Sequence, residues 1–549
     1  MRAPLPSART CALALTVLAL VPTFGLAQRP VESVLDSLSS AEFHARPMAG
    51  LQVEVVRGSD TVFARSYGYA DLEHDLPLGY DGVFQIASLT KQFTAAAVLK
   101  LVEAGKIGLD DDVHRYLPDL DTHGQVVRIR EMLNHTSGIP NIFEMTAWPG
   151  IRPLRVPRAR MHELEMAGVA EDSLDFVPGT KFHYSNTGYN LLGDIIEKVT
   201  GEDVEAFYRS ALFGPLGLHH TSFCPWTRII PHRVWGYEPD SAGTELENAW
   251  RQSQSVLFTA GAICSTAEDL LRWNEALHHG RVLGAASYHA MTTPTKAAGT
   301  YGFGIYVNQI AGHRRFEHNG YTLGYSSQLE YWPDDSLTVV VLANSPARVA
   351  GLAVDIGWAV LGLPAAKVPV RPEGWEVRAL ESGADTTTIN FRPMASGVHV
   401  TSGVGALYYR PDSSGTGEYT VQATLAEYGN PQPDLGKGLF FGGSGLTASR
   451  GRYLAFLVRH PGEYALVRYD GSTLETVVPW TRSSAVRFVG DATNTLSVTV
   501  STSQVVLRVN GTEVRRVDRK AVGETDGLAG LWIGPDDSVH TDGFSVTRR

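Results

Sequence analysis

The sequence predicts an α+β domain, an antiparallel sheet flanked by helices with a helical lobe beside it, followed by an all-β sandwich. Three observations predict this. Alternating apolar segments stand at both ends of the first part of the chain, helix-period segments fill the stretch between them, and beyond a proline-rich break only short alternating segments recur. At 549 residues the chain also exceeds what one hydrophobic core organises, so two or more domains are expected.

The elements justify this in order. Arg2 and Arg9 precede the apolar run CALALTVLAL, and small residues end at Ala27. Residues 1–27 therefore read as an export signal, and the mature protein is expected to begin near Gln28 and to be periplasmic or secreted. The apolar run is short for a membrane span, and no later stretch reaches the roughly 20 residues that one needs. From Leu51 to Tyr69 alternation around Gly58, Ser59 and Asp60 reads as a β-hairpin. SLTKQFTAAAVLKLVEAG reads as a buried helix stopped by Gly105. Further helices are expected at TGYNLLGDIIEKVTG, EDVEAFYRSALFGPLG and TAEDLLRWNEALHHG. Strand patterns return at YGFGIYVNQI, HRRFEHNG, YSSQLEYWP and SLTVVVLANS, and RVAGLAVDIGWAVLG closes the unit as a helix. Strands at the two ends most economically share one antiparallel sheet, which places a cleft between sheet and helical lobe.

Residues 364–374, PAAKVPVRPEG, lack periodicity and read as a linker. From 375 to 549 segments such as EYTVQATLAEY, YLAFLVRH and TLSVTVSTSQVVLRV give a sandwich or barrel pattern, with Asn510-Gly511 as a hairpin turn.

Composition excludes some functions. A hydrophobic content of 43% with 19% charged residues is that of a globular chain. A net charge of -11, with no basic run, removes the electrostatic basis for binding nucleic acid or anionic lipid. Past the signal two cysteines remain, Cys224 and Cys264. In an oxidising compartment they are expected to pair, the alternative being two small buried thiols.

Three short segments carry chemistry. Ser88, Leu89, Thr90 and Lys91 form SxxK at the start of an expected helix, which puts serine and lysine on one face and the serine at a positive helix end. A serine hydroxyl needs a base, and a desolvated lysine can serve. No other lysine here has a serine three positions before it. Tyr184 and Asn186, two apart in PGTKFHYSNTGYN, can point into one cavity, the phenol as proton shuttle and the amide as a holder of substrate or lysine. His318, Asn319 and Gly320 lie on a strand expected to border the cleft, with Gly320 permitting close approach of a substrate backbone. Taken alone, each segment is also what an ordinary loop, cap or strand provides.

Together the three segments, with FQIASLTKQFTAAAVLKLVEAGKIGLDDDV, LNHTSGIPN, PLGLHHTSF and STAEDLLRWNEAL, resemble the serine β-lactamase and penicillin-binding-protein superfamily, in its class C and esterase-like branch, over residues 32–363. The resemblance implies a β-lactamase/transpeptidase-like fold. It also implies Ser88 as nucleophile, Lys91 as its activator, Tyr184 as acid/base, and Asn186, His318 and Gly320 at the substrate. The backbone amides of Ser88 and Tyr321 would form the oxyanion hole. Lactamases proper commonly carry lysine where this chain has His318, and a mostly neutral histidine departs from that pattern, so the substrate expected is a small ester, amide or D-amino-acid peptide in preference to a β-lactam. The C-terminal region resembles, less specifically, a concanavalin-A-like sandwich, in GKGLFFGG and DGLAGLWIGPDDSVHTDGFSVTRR, which implies a carbohydrate-binding or a packing role.

Neither the His219-His220 nor the His278-His279 pair has ligand-like spacing, and HELEM at His162 lacks a second zinc-binding histidine, so no metal and no other cofactor is expected. No GxSxG elbow appears. Two other readings remain: a catalytically silent protein that binds a peptide or cell-wall fragment, and a hydrolase targeted to carbohydrate by its sandwich.

Overall fold

The computed structural model describes residues 25–143, 145, 156–240, 245–363, 374–380, 389–393, 397–402, 404–427, 436–446, 451–459, 462–487, 493–535 and 538–548. The expected export signal lies outside these except for Gly25, Leu26 and Ala27, with which the helix Gly25–His44 begins. The expected linker lies outside them except for Gly374.

The strands at the two ends of the first unit do share a sheet. Its order is Leu76–Pro77, Asp60–Asp71, Gly50–Arg57, Leu337–Ala343, Tyr325–Trp332, His313–Thr322 and Tyr306–Ile310, and every pair is antiparallel. Leu51 pairs with Ala343, which closes the N-terminal hairpin onto the returning strands. Leu337–Ala343 is buried along its whole length, as a strand covered on both faces must be. On one face Val53, Val55, Val339 and Val341 pack with Leu35 and with Leu352 and Ile356 of the helix Val349–Val360. On the other, Val340 and Leu342 join the core of the helical lobe, which includes Phe93, Leu192, Ile195 and Trp273.

The expected helices form, one of them with an irregular middle. EDVEAFYRSALFGPLG is not one helix but Val204–Tyr208, a wider π turn at Arg209–Phe213 and a last turn at Gly214–Leu216. Pro215 has no N–H to give the carbonyl four residues back, and the Gly214 N–H reaches Arg209 O instead, five back. The apolar pattern does not announce the helices Gly25–His44, Ile129–Leu133, Arg158–Asp172, Gln254–Gly261 and Ala285–Met291.

From Glu376 onward two seven-stranded antiparallel sheets face each other. Leu439, Phe441 and Phe456 of one meet Val421, Leu496 and Val498 of the other in a common core, so the C-terminal region is a sandwich. Asn510 and Gly511 both have positive φ, 51° and 82°, between paired Val509 and Thr512, as a two-residue hairpin loop requires. No helix among the described residues is long and apolar enough to cross a membrane.

Candidate active site

Ser88 does not open the α-helix as its spacing suggests. It lies in a 3₁₀ turn, Ala87–Leu89, and the α-helix runs Thr90–Glu103. The chain leaves the strand Phe84–Gln85 through Ala87 at φ 45°, a conformation that non-glycine residues rarely adopt. Such a turn persists only where its surroundings hold it. Ser327 Oγ donates to Ile86 O at 2.8 Å, and the space of a Cβ on Gly320 is taken by Ile86 O and Ser327 Oγ. The close approach that Gly320 permits in this structure is therefore that of the backbone leading to Ser88.

Lys91 is fully buried, one turn beyond Ser88. Its Nζ lies 3.1 Å from Ser88 Oγ, 2.9 Å from Asn186 Oδ1 and 2.8 Å from Ala260 O. Three acceptors thus surround a group that has three hydrogens when charged. Nζ also lies 4.6 Å from the centre of the Tyr184 ring. Asn186 begins the helix Asn186–Thr200, with Ser185 as its N-cap accepting from Gly188 N. The remaining polar atom of Asn186, Nδ2, faces Asn141 Oδ1 at 3.3 Å. Ser88 and Tyr184 are partly exposed, although the Tyr184 hydroxyl itself is buried, whereas Lys91, Asn186 and His318 are buried as whole residues.

From the sheet side comes His318, with 1% of its surface exposed. Its Nδ1 lies 2.6 Å from Asn319 O, which can only accept, so the proton sits on Nδ1. Nε2 then accepts from the Tyr301 hydroxyl at 3.0 Å. Burial, aided by the Lys91 charge, pushes the imidazole down to about 3, so it is neutral at ordinary pH. Tyr321, the next but one residue from Asn319, is partly exposed, and its hydroxyl lies 3.4 Å from Glu238 Oε1.

Two residues with no role assigned from sequence complete the wall. His135, in LNHTSGIPN, adopts φ 59°, and its Nδ1 accepts the N–H of Ser185 at 3.1 Å. Its ring lies 4.2 Å from that of Tyr184 and 4.7 Å from that of Tyr301, centre to centre. Burial, then the Lys91 charge, holds it well below the usual histidine range. Asn141 accepts from both the backbone N–H and Nδ2 of Asn186. The phrase was visible in the sequence; the contacts are tertiary.

Cys224 and Cys264 are bonded, with Cα atoms 5.4 Å apart across 40 residues. Cys264 pairs with Gln85 in a three-stranded ribbon, so the bond stands close behind the turn that carries Ser88. Of the histidine pairs, His278 Nδ1 lies 2.7 Å from the Tyr288 hydroxyl and the His220 N–H donates to Asp269 Oδ2. His162 does approach Glu165 and Asp194 closely enough for a metal ion, but the Arg158 guanidinium bonds to both carboxylates there.

A family model described as Beta-lactamase matches residues 36–361. The chain is 31% identical over 310 residues to a penicillin-binding protein of Bacillus subtilis (strain 168), over 53% of this chain and 67% of that protein. It is 28% identical over 326 residues to a D-aminopeptidase of Cereibacter sphaeroides, over 58% of this chain and 61% of that one. The chain thus spans about two thirds of the first relative and less than two thirds of the second. Among solved structures, a D-stereospecific amidohydrolase from Streptomyces sp. superposes with a TM-score of 0.53 and 26% identity, over 61% of this chain and 99% of that one. The family match takes in more than half of the 549 residues, and the chain belongs to the Beta-lactamase family, among its serine hydrolases of the penicillin-binding-protein type.

Proposed function

We propose that the protein is an exported hydrolase that forms an acyl-enzyme at Ser88 and acts on small amides, esters or D-amino-acid peptides. The observation that carries this reading is the trio of contacts at Lys91 Nζ. Once Lys91 has given its third proton to solvent, the neutral amine, with two hydrogens held by Asn186 Oδ1 and Ala260 O, turns its lone pair toward Ser88 Oγ. As Oγ bonds to the substrate carbonyl carbon, its proton passes to Nζ, and the carbonyl π electrons move to the oxygen. The backbone amides of Ser88 and Tyr321 are the donors assigned to that oxyanion. The C–N or C–O bond then breaks, and the leaving group takes a proton relayed through Tyr184, whose ring stands beside Nζ. Water, giving up its proton along the same path, releases the acid and restores Ser88.

His318 narrows the substrate class. A buried, neutral imidazole supplies no charge for a substrate carboxylate, which favours amides and esters without a free carboxylate at that position. The names of two similar proteins, a D-aminopeptidase and a D-stereospecific amidohydrolase, support D-amino-acid amides as the first compounds to try. A panel of D- and L-amino-acid amides, short p-nitrophenyl esters and nitrocefin tests the reading. Turnover of the amides or esters that Ser88→Ala abolishes is the expected result; turnover that survives in Ser88→Ala refutes it.

A further inference from the structure

The helix Arg158–Asp172, one of those that the sequence pattern hides, carries charge behind the site. Glu165 is fully buried and accepts from Arg158 Nη1 at 2.7 Å. Arg158 also reaches Asp194 through Nε at 3.2 Å and Nη2 at 2.5 Å, and its guanidinium lies 4.4 Å from the centre of the Phe258 ring. His162 Nδ1 stands 2.9 Å from Asp194 Oδ2.

The other oxygen of Glu165, Oε1, accepts from Asn190 Nδ2 at 2.6 Å. Asn190 also donates to Val256 O at 3.0 Å, and its Oδ1 accepts the N–H of Ala260 at 3.2 Å. Ala260 O is the acceptor of Lys91 Nζ. An unbroken line of buried polar contacts thus runs from the Arg158-Glu165 pair to the lysine beside Ser88.

The peptide at the end of that line does not hold itself in place. Phe258 interrupts its helix at φ 29° and ψ -120°, a conformation that side-chain-bearing residues rarely adopt. Neighbours fix it from several sides. Thr259 Oγ1 donates to Tyr189 O at 2.8 Å, and Thr259 O accepts from Thr94 Oγ1 at 2.6 Å. Gly193 faces the kink directly, and a Cβ there would collide with Thr259 Oγ1 and the Phe258 ring. A buried ion pair is poor evidence of stabilisation, because apolar residues of like volume often serve as well. One that ends, two residues beyond the Phe258 kink, on the peptide whose carbonyl meets Lys91 Nζ is accounted for by geometry.

We propose that Glu165 and Asn190 are positioning residues for Lys91, fixing the kinked Phe258–Ala260 backbone so that the Ala260 carbonyl holds Nζ toward Ser88. The inference rests on the acyl-enzyme reading above. Misplacing a reacting group by about 1 Å can cost a hundredfold in rate while ground-state binding survives. The loss should therefore fall on kcat and on the rate of Ser88 labelling, not on KM.

The test uses the full chain, a fluorophosphonate probe for Ser88 and a p-nitrophenyl ester for kcat and KM. Glu165→Ala and Asn190→Ala are each expected to slow labelling and kcat by about tenfold or more with KM within about threefold, and the double variant should lose no more than the worse single one. Glu165→Gln, which keeps an oxygen for Asn190 Nδ2, should return to within about threefold of the parent. Gly193→Ala presses on the same kink while leaving both carboxylates and Asn190 in place. It should reproduce the kcat loss, and it decides the matter if Glu165→Ala does not fold. Parental rates in Glu165→Ala or Gly193→Ala, equal losses in Glu165→Gln and Glu165→Ala, or multiplied losses in the double variant would overturn the proposal. A parent that takes no label at Ser88 overturns the acyl-enzyme reading together with this one, whereas a labelled parent matched by Glu165→Ala overturns this one alone.

Discussion

The hydroxyl of Tyr301 donates to His318 Nε2 at 3.0 Å, and because Nδ1 is committed to Asn319 O the histidine is fixed as a single neutral tautomer. The strand that borders the cleft thus presents a dipole in place of a charge.

His318→Lys is expected to raise the ratio of kcat/KM for a carboxylate-bearing substrate to that for its neutral analogue by about tenfold, worth about 1.4 kcal/mol, while ester hydrolysis persists. Paired substrates that differ only in the carboxylate measure it. An unchanged ratio would remove His318 from substrate selection.

Acid sensitivity follows from three histidines, His135 and His318 buried and His278 half-buried. His278 and His318 are pushed down to about 3 by burial, and His135 is held well below the usual range. Their folded values lie below the unfolded value of 6.5, so the unfolded chain binds more protons in between. Their contribution to stability is complete above pH 6.5 and falls with pH below it, by up to about 1.4 kcal/mol per pH unit for each. His278 lies outside the active site, its Nδ1 2.7 Å from the Tyr288 hydroxyl. Melting temperatures between pH 7.5 and 4.5 should fall, and His278→Gln should flatten that slope. An identical slope in the variant would contradict the assignment.

Gly320→Ala puts a methyl group where Ile86 O and Ser327 Oγ now lie. The backbone leading to Ser88 must then shift, and acylation is expected to slow by about tenfold to a hundredfold. Stopped-flow acylation by an activated ester reads the effect directly. A rate equal to that of the parent would show that the turn does not depend on this approach.

The Cys224-Cys264 bond closes a loop whose ends are 40 residues apart. On the chain-entropy account it contributes about 4 kcal/mol, less any strain. Denaturant unfolding of the Cys224→Ala, Cys264→Ala double variant should show a loss of that order, and free thiols in the non-reduced parent would dispose of the bond itself.

Much of this was legible because it is local. SxxK spacing, the alternation of Tyr184 and Asn186, the hairpin around Gly58 and the Asn510-Gly511 turn each depend on neighbours in sequence. What was not legible is tertiary. Ala260 contributes a backbone carbonyl, which has no side-chain signature. The helix Arg158–Asp172 buries Met161, Glu165, Gly168 and Val169, spaced as one helical face, but a carboxylate and a glycine occupy half of that face. The residue that breaks the apolar period is the one that meets Asn190. His135 and Asn141 sat in a recognisable phrase, and only the fold brings them to Ser185 and Asn186.

The central claim is covalent, and a peptide map tests it most directly. The parent and its Ser88→Ala, Lys91→Ala and Tyr184→Phe variants are mixed with an activated ester or a fluorophosphonate, quenched, digested and sequenced by mass. The label is expected on Ser88 alone, absent in Ser88→Ala, reduced by about a thousandfold in rate in Lys91→Ala and less severely in Tyr184→Phe, since on the proposed mechanism the serine and lysine act as one proton-transfer unit. A label on any other residue, or undiminished turnover in Ser88→Ala, would contradict the account.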